Sequence, residues 1–270
     1  MHAACNPFIL SIPAAVLPFP HMLIVGNWKA YVESKAKAKA LYASARRAAG
    51  KGAHEIAVAP SAPYIGLLAP VKPGKEGVKL AAQDVSVTVG GAETGEVTAG
   101  ALADLGAEYV IVGHSERRAR GETDEAVAEK VRHAFAHGMT PIICVGETER
   151  DPEAQYLKAV RAQVNAAMLP LSPKERLAVV IAYEPVWAIG KSGAEAITQA
   201  DLSEMVLYIR KVLGDFMPGR ANQRVRVIYG GSVTPDNIRG LASGTGIEGF
   251  LVGRASTDVS MFTALVKALS

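Results

Sequence analysis

The sequence predicts one domain of the α/β class, a closed (β/α)8 barrel. Eight short apolar stretches alternate with longer stretches of helical character along the chain. The short stretches are apolar at almost every position, which is typical of parallel strands covered on both faces. Eight strand–helix units in a chain of this length match the closed barrel. An open doubly wound sheet is the alternative, but its glycine-rich first turn is missing after the first strand.

The strands are predicted where apolar and β-branched residues run together for four to seven positions. In chain order they cover residues 23–28, 56–59, 78–84, 109–112, 141–145, 178–183, 225–229 and 249–252. Because these strands alternate with helical segments, they are expected to pair in parallel, with the helices as crossover connections.

The helices are predicted from capping residues and from amphipathic spacing. Residues 34–49 are rich in Ala and Lys, and residues 124–137 start after a Thr-Asp cap and end at Gly138. Amphipathic spacing predicts further helices over residues 152–168, 199–213 and 258–269. A short helix is expected to open at Pro235 and to end near Gly240 or Gly244.

The first 21 residues are expected to lie outside this domain, which would then span residues 22–270. They are apolar, but they lack the basic start of a signal peptide, and Pro13, Pro18 and Pro20 interrupt the apolar run. We interpret residues 1–21 as an N-terminal extension that is disordered or that reflects a misassigned start, with Met22 as the first residue of the domain.

The composition excludes several classes of function. The 29 basic and 26 acidic residues leave a net charge of +3, and no basic stripe favours nucleic acid. No apolar run reaches the ~18 residues that a membrane helix would need. Cys5 and Cys144 lie far apart, which indicates a reducing compartment, and we expect the cytoplasm. His133 and His137 stand one helical turn apart without a third ligand, so no metal site is expected.

Polar residues at the ends of the predicted strands mark the candidate site, because barrels place their sites where strands lead into helices. Lys29, His114 and Glu184 follow the first, fourth and sixth strands, and they can converge over the barrel mouth. Glycine-bearing ends follow the seventh and eighth strands, which is the usual place for a phosphate in a barrel.

Four segments at these strand ends carry a resemblance to a known family. They are residues 27–29 (NWK), 112–118 (VGHSERR), 182–190 (AYEPVWAIG) and 229–233 (YGGSV). In this order, and each at the end of a predicted strand, they resemble the motifs of the triosephosphate isomerase family across residues 22–270. The resemblance implies a TIM barrel that interconverts dihydroxyacetone phosphate and D-glyceraldehyde 3-phosphate through an enediolate, in glycolysis and gluconeogenesis. It implies a phosphosugar substrate and no cofactor.

The resemblance also implies a role for each site residue. Glu184 looks like the base, and His114 looks like a neutral imidazole that stabilises the enediolate, with the helix that starts near Ser115 opposing a second proton. Lys29 would supply positive charge, Asn27 would hydrogen-bond the substrate, and Glu116 would hold Lys29. The backbone N–H groups that would bind phosphate carry over to Gly190, Ser232, Gly253 and Arg254.

Two further segments resemble parts of this family. Residues 187–193 resemble its mobile lid, which Tyr229 and Ser232 would latch. Residues 83–98 resemble its third loop, which docks into a partner subunit and would bring Thr94 to the partner, so a homodimer is expected. The sequence departs from the family at Glu93, where an aromatic residue is common, and at Arg254, where a glycine is common; we expect the second change to affect binding modestly.

Three other functions remain open from the sequence. An isomerase of the same mechanism could act on a tetrulose phosphate, with the same catalytic residues. A catalytically silent barrel could bind phosphosugars, although it would need neither Glu184 nor His114. A barrel lyase or synthase would need a Schiff-base lysine or a metal cluster, and Lys29 is the only strand-end lysine.

Overall fold

A computed structural model describes residues 21–50, 54–69, 77–191 and 196–269. Most of the predicted extension, residues 1–20, lies outside the described residues, as do residues 192 and 193 of the predicted lid. The proposed division into an extension and a domain therefore stays a prediction.

Within the described residues, eight parallel strands close into a barrel in chain order, and β1 pairs with both β2 and β8. The strands are β1 (Leu23–Asn27), β2 (Glu55–Ala59), β3 (Lys79–Ala82), β4 (Ala107–Val112), β5 (Thr140–Val145), β6 (Val180–Tyr183), β7 (Arg226–Tyr229) and β8 (Gly249–Val252). The predicted fold class is confirmed, and all eight predicted strands are present. The prediction placed the end of β3 two residues late, at residue 84. The strand ends at Ala82, and the side chain of the next residue, Gln83, donates to the carbonyls of Lys29 and Ala59.

Helices connect these strands on the outside of the barrel. They are α1 (Lys35–Ala49), α2 (Ala62–Leu68), α3 (Ala99–Asp104), α4 (Ser115–Arg118), α5 (Asp124–Ala136), α6 (Gln155–Met168), α7 (Pro173–Arg176), α8 (Gln199–Gly214), α9 (Ile238–Ala242) and α10 (Val259–Leu269). Three of them, α2, α3 and α7, were not predicted, because so few turns give little periodic signal. Among the described helices, none is long and apolar enough to cross a membrane.

The start of α6 corrects one prediction. The sequence placed it at Pro152, but the helix begins at Gln155 because Ala154 has a left-handed backbone with φ of 57°. The Asp151 carboxylate accepts from the backbone N–H groups of Gln155 and Tyr156 at 2.9 and 3.0 Å. This side chain supplies the cap that the left-handed residue cannot.

Alternate strand positions separate two apolar clusters. The smaller cluster comprises Leu23, Val25, Ala57, Ala59, Ala81, Tyr109, Ile111, Ile142, Cys144, Val180, Ala182, Ile228 and Leu251. Since side chains alternate along a strand, these residues face the barrel axis, and the larger cluster fills the space beneath the helices. The inward-facing rows lead, two residues further along, to Asn27 after Val25 and to Glu184 after Ala182.

Candidate active site

The Glu184 residue is buried against two glycines that leave room for it. It is only 2% exposed, and its backbone N–H extends the β5–β6 ladder by donating to Val145 at 2.8 Å. A methyl group on Gly230 would stand 2.8 Å from Cγ of Glu184, and one on Gly146 would collide with its carbonyl at 1.9 Å. The strand ends of β5 and β7 therefore need glycine at these positions for Glu184 to fit.

Two groups of the β4 end face this carboxylate. The backbone N–H of Ser115 donates to Oε2 of Glu184 at 3.0 Å, and Nε2 of His114 lies 3.3 Å from Oε1. On the other side of the imidazole, Nδ1 accepts from the backbone N–H of Glu116 at 3.1 Å. An Nδ1 that accepts carries no proton, so in the neutral ring the proton is on Nε2 and points towards Glu184.

Lys29 follows β1 in a strained backbone conformation. Its φ of 47° is left-handed, a region that side chains other than glycine rarely adopt and that costs on the order of 1 kcal/mol. The side chain of Asn27 accepts from its backbone N–H at 3.0 Å, and Gln83 donates to its carbonyl at 2.8 Å. These two contacts stabilise the strained backbone that directs Lys29 over the barrel mouth.

Lys29 and Glu116 form an ion pair at the rim of the site. Nζ of Lys29 is 2.7 Å from Oε1 of Glu116, whose side chain is 57% exposed. Burial tends to raise the pKa of Glu116, but the hydrogen bond and charge of Lys29 outweigh it and leave that pKa below its ordinary value. The second oxygen of Glu116 lies 3.8 Å from Nδ1 of His114, so the pair joins the β1 and β4 ends.

The residues whose backbone N–H groups are expected to bind phosphate lie in two places, at the predicted lid with the end of β7 and at the end of β8. Oγ of Ser232 accepts from the backbone N–H of Gly190 at 2.7 Å and donates to the carbonyl of Ala188 at 3.2 Å. Gly253 lies against the Lys29 side chain, where a methyl group would be 3.6 Å from Cε. Arg254 opens the 3-10 turn that follows β8.

The sequence profile of triosephosphate isomerase matches residues 22–269. The chain belongs to the triosephosphate isomerase family. It is 41% identical over 251 residues to the triosephosphate isomerase of Roseiflexus castenholzii. The aligned region covers 92% of this chain and 97% of that protein. The chain is accordingly an isomerase that interconverts dihydroxyacetone phosphate and glyceraldehyde 3-phosphate, a reaction of glycolysis, and its substrate is a small phosphosugar.

Sequence reasoning passed over Glu147, which the fold places beside the predicted lid. Its Oε1 accepts from the hydroxyl of Tyr183 and from Nε1 of Trp187, each at 2.8 Å. Its backbone carbonyl accepts from Val186 at 2.9 Å. A signal was present, since Glu147 is a polar residue just past a strand end, the criterion that found the other site residues.

Of the two residues predicted to latch the lid, Ser232 contacts described lid residues, and no such contact is described for Tyr229. Ser232 contacts Gly190 and Ala188, as described above, whereas the hydroxyl of Tyr229 lies against its own loop, where a methyl group on Gly231 would stand 2.1 Å away. Burial raises the pKa of that phenol. A latch role for Tyr229 therefore stays a prediction.

The cysteine and histidine residues for which the sequence predicted no site role have other contacts in the structure. Cys144 belongs to the inward-facing cluster, and its burial, followed by the charge of Glu184, raises the pKa of the thiol well above its ordinary value. His133 contacts the carbonyl of Ser86 at 3.3 Å through Nδ1. Over the ranges that the structure describes, no three His, Cys, Asp or Glu side chains gather as a metal site would require.

Proposed function

We propose that the chain catalyses its family's interconversion with Glu184 as the base and His114 as the electrophile. The observation that carries the proposal is the pairing of Glu184 with His114 Nε2 at 3.3 Å, at the carboxyl ends of β6 and β4. A base and a hydrogen-bond donor held this close can act on adjacent atoms of a three-carbon substrate. Burial of both side chains excludes water from the carbanion that forms between them.

The proton transfer follows from the chemistry of the substrate. A Glu184 oxygen removes a proton from C1 of dihydroxyacetone phosphate, and the C–H electron pair forms the C1–C2 double bond of the enediolate. The carbonyl π electrons move to O2. A proton then moves from the O1 hydroxyl to O2, which leaves the negative charge on O1. The O1 lone pair forms the C1 carbonyl while the C1–C2 double-bond electrons take the proton back from Glu184 at C2, which gives glyceraldehyde 3-phosphate. One carboxylate therefore serves as base and then as acid. Since Ser115 and His114 now occupy the two carboxylate oxygens, the substrate must displace at least one of these contacts.

His114 donates to the substrate oxygens in this scheme. Its proton is on Nε2 because Nδ1 accepts from Glu116, so the neutral ring presents a donor to the enediolate. A donor that is already oriented needs no reorganisation when the oxyanion develops.

Lys29, Asn27 and Glu116 complete the proposed catalytic set. Lys29 supplies a fixed positive charge next to Gly253, and its ion pair with Glu116 limits the freedom of the long side chain. Asn27 orients the Lys29 backbone and hydrogen-bonds the substrate. For the phosphate, we propose the backbone N–H groups of Gly190, Ser232, Gly253 and Arg254; the Gly190 N–H must first release its hydrogen bond to Oγ of Ser232.

Turnover of purified protein tests the proposal directly. Conversion of glyceraldehyde 3-phosphate is followed by coupling the product to NADH oxidation, for the full chain, for residues 22–270 and for Glu184→Gln. We expect Glu184→Gln to lower kcat by about a thousandfold, since it keeps the shape but removes the base. Glu153→Gln, at an exposed carboxylate, is the matched control and should retain full activity.

The outcomes separate the alternatives. Activity that survives Glu184→Gln would overturn the assignment of the base. A folded but inactive wild type would redirect the search to tetrulose phosphates, and a failure to turn over any phosphosugar would leave a binding barrel. Equal activity of the full chain and of residues 22–270 would support the proposed domain boundary at Met22.

We further propose a cytoplasmic homodimer that does not bind nucleic acid. The loop over residues 83–98 exposes three valines, Val87, Val89 and Val97, and Val89 is 78% exposed. Apolar side chains of this kind favour burial against a second copy. The near-neutral charge opposes nucleic acid, and the thiol of Cys144 suits a reducing compartment. A monomer mass by light scattering at micromolar concentration would refute the dimer.

A further inference from the structure

Arg150, on the loop that follows β5, lies close to two aromatic rings. Its guanidinium carbon is 4.9 Å from the ring centre of Tyr156 and 5.3 Å from that of Trp187. A planar guanidinium can interact favourably with each of two nearby rings and can stack on an aromatic face, which an ammonium group cannot do. These two contacts explain why an arginine suits this position, and they bring it against Trp187.

The same guanidinium also donates hydrogen bonds to three side chains. Its acceptors are Oδ1 of Asp201 at 3.0 Å, Oε1 of Glu147 at 3.3 Å and the hydroxyl of Tyr183 at 3.4 Å. The Glu147 side chain is only 1% exposed, and its contact with Arg150 compensates its buried charge. Since these acceptors come from β6, from α8 and from the β5 loop, Arg150 joins three separate elements.

Two of these elements flank the segment that follows the proposed base. Val186–Ala188 form a 3-10 turn directly after Glu184 and Pro185, and Trp187 is at its centre. Asp201 belongs to the first turn of α8, where its carboxylate accepts from the hydroxyl of Thr198 at 2.6 Å and completes a capping box. Arg150 therefore connects the turn after Glu184 to the fixed start of the next helix.

We propose that Arg150 is a positioning residue for the reaction. It fixes Trp187, and with it the Val186–Ala188 turn, so that the Glu184 carboxylate is held in line with the substrate carbons. Without Arg150 the indole keeps its hydrogen bond to Glu147, but Glu147 loses its cation and Trp187 loses one wall of its site. This inference rests on the proposed role of Glu184, since it concerns the placement of that carboxylate.

The chain offers a matched control elsewhere on its surface. Arg161 lies 5.9 Å from the Tyr208 ring centre and pairs with Asp215 at 2.6 Å. It makes the same two kinds of interaction as Arg150, but it lies on α6 and its partners are on α8 and directly after it, and it touches neither Trp187 nor Glu147 in the contacts described. Arg161→Met therefore removes a stacked cation without disturbing the turn after Glu184.

The kinetic experiment compares Arg150→Met, Arg150→Lys and Arg161→Met as intact, folded proteins. We expect Arg150→Met to lower kcat about tenfold with a much smaller change in KM, because misplacing a catalytic group by a fraction of an ångström is costly. Arg150→Lys should recover part of the loss, since it restores the charge but not the stack. Arg161→Met should keep the wild-type kcat, and equal kcat values for Arg150→Met and Arg161→Met would overturn the proposal.

A second readout is independent of turnover. Of the two tryptophans, Trp28 is buried, so acrylamide quenching reports mainly on Trp187. Arg150→Met should increase quenching relative to the wild type, and Arg161→Met should not. If the wild type proves inactive, the proposed function fails while quenching still tests the placement of Trp187; unchanged quenching in Arg150→Met would overturn the proposal.

Discussion

Both ends of the barrel hold a carboxylate that is largely shielded from water, and the two are bound in different ways. At the amino ends of the strands, Glu55 accepts from the hydroxyl of Tyr109 at 2.5 Å, from Arg226 at 2.6 Å and from Lys79 at 2.9 Å. At the carboxyl ends, Glu184 meets one backbone N–H and one imidazole. Within the described residues, no lysine or arginine forms an ion pair with Glu184.

The electrostatic consequence is clear at the amino end. Burial alone would raise the pKa of Glu55, but the hydrogen bonds from Tyr109, Lys79 and Arg226 outweigh it and lower the pKa to about 2. A carboxylate held this way stays ionised and joins β2, β3, β4 and β7. A base must instead gain and release a proton in every turnover, which requires partners that bind it less firmly. We therefore expect the amino end to contribute mainly to stability and the carboxyl end to carry the proposed chemistry.

The largest expected effect is on activity at the carboxyl end. His114→Gln should lower kcat by about a hundredfold or more, because the enediolate loses its oriented donor. Stability should change little, since the imidazole contacts only groups at the barrel mouth. Kinetics together with thermal unfolding checks this, and a large fall in Tm at normal kcat would reverse the assignment of the two ends.

The next effect is on stability at the amino end. Glu55→Gln should reduce the free energy of unfolding by about 2 kcal/mol, because Arg226 and Lys79 lose their shared anion. Urea unfolding measures the loss, and the kcat of the folded variant should equal that of the wild type. A variant that is stable but inactive would show that the two ends are coupled.

A smaller effect is expected on the response to acid. Because the pKa of Glu55 is lowered in the folded state, its contribution is present above the unfolded value near 4.5 and is lost as the pH falls towards 2. The unfolding free energy of Glu55→Gln should therefore decline less steeply than that of the wild type between pH 4.5 and 2. Parallel curves for the two proteins would contradict this account.

The smallest effect is expected at the phosphate end of the mouth. The Arg254 guanidinium stands 6.0 Å from the ring centre of Tyr31, which is itself 47% exposed. Arg254→Gly keeps the backbone N–H, so KM should rise by no more than about threefold, as expected for a charge exposed to solvent. A change in KM of orders of magnitude would mean that the side chain binds the phosphate directly.

Sequence reasoning succeeded where a local pattern has one structural outcome. The alternation along β6 puts Val180, Ala182 and Glu184 on one row, so the proposed base reaches the mouth whenever the strand is in register. His114 and Lys29 were predictable for the same reason, as polar residues at strand ends. The limits of α6 were less predictable, because the left-handed Ala154 that delays its start carries no distinctive residue type.

Contacts between distant residues needed the folded chain. Gln83 supports Lys29 from 54 residues away, and Glu55 pairs with Arg226 across 171 residues. Arg150 was not singled out from the sequence, since nothing near it indicates that Trp187 and Asp201 will come within reach. Barrel closure brings such residues together, and their polar side chains then form the hydrogen bonds that buried polar groups require.

The sequence by itself therefore determined the barrel, the order of its strands and the polar residues at their ends, because hydrophobic periodicity and strand-end position are local properties. Only the tertiary structure decided how each of these residues is held. The contact of His114 with Glu184, the support that Gln83 gives to Lys29 and the cluster around Arg150 join residues that meet only after the sheet closes, and no local pattern encodes those distances.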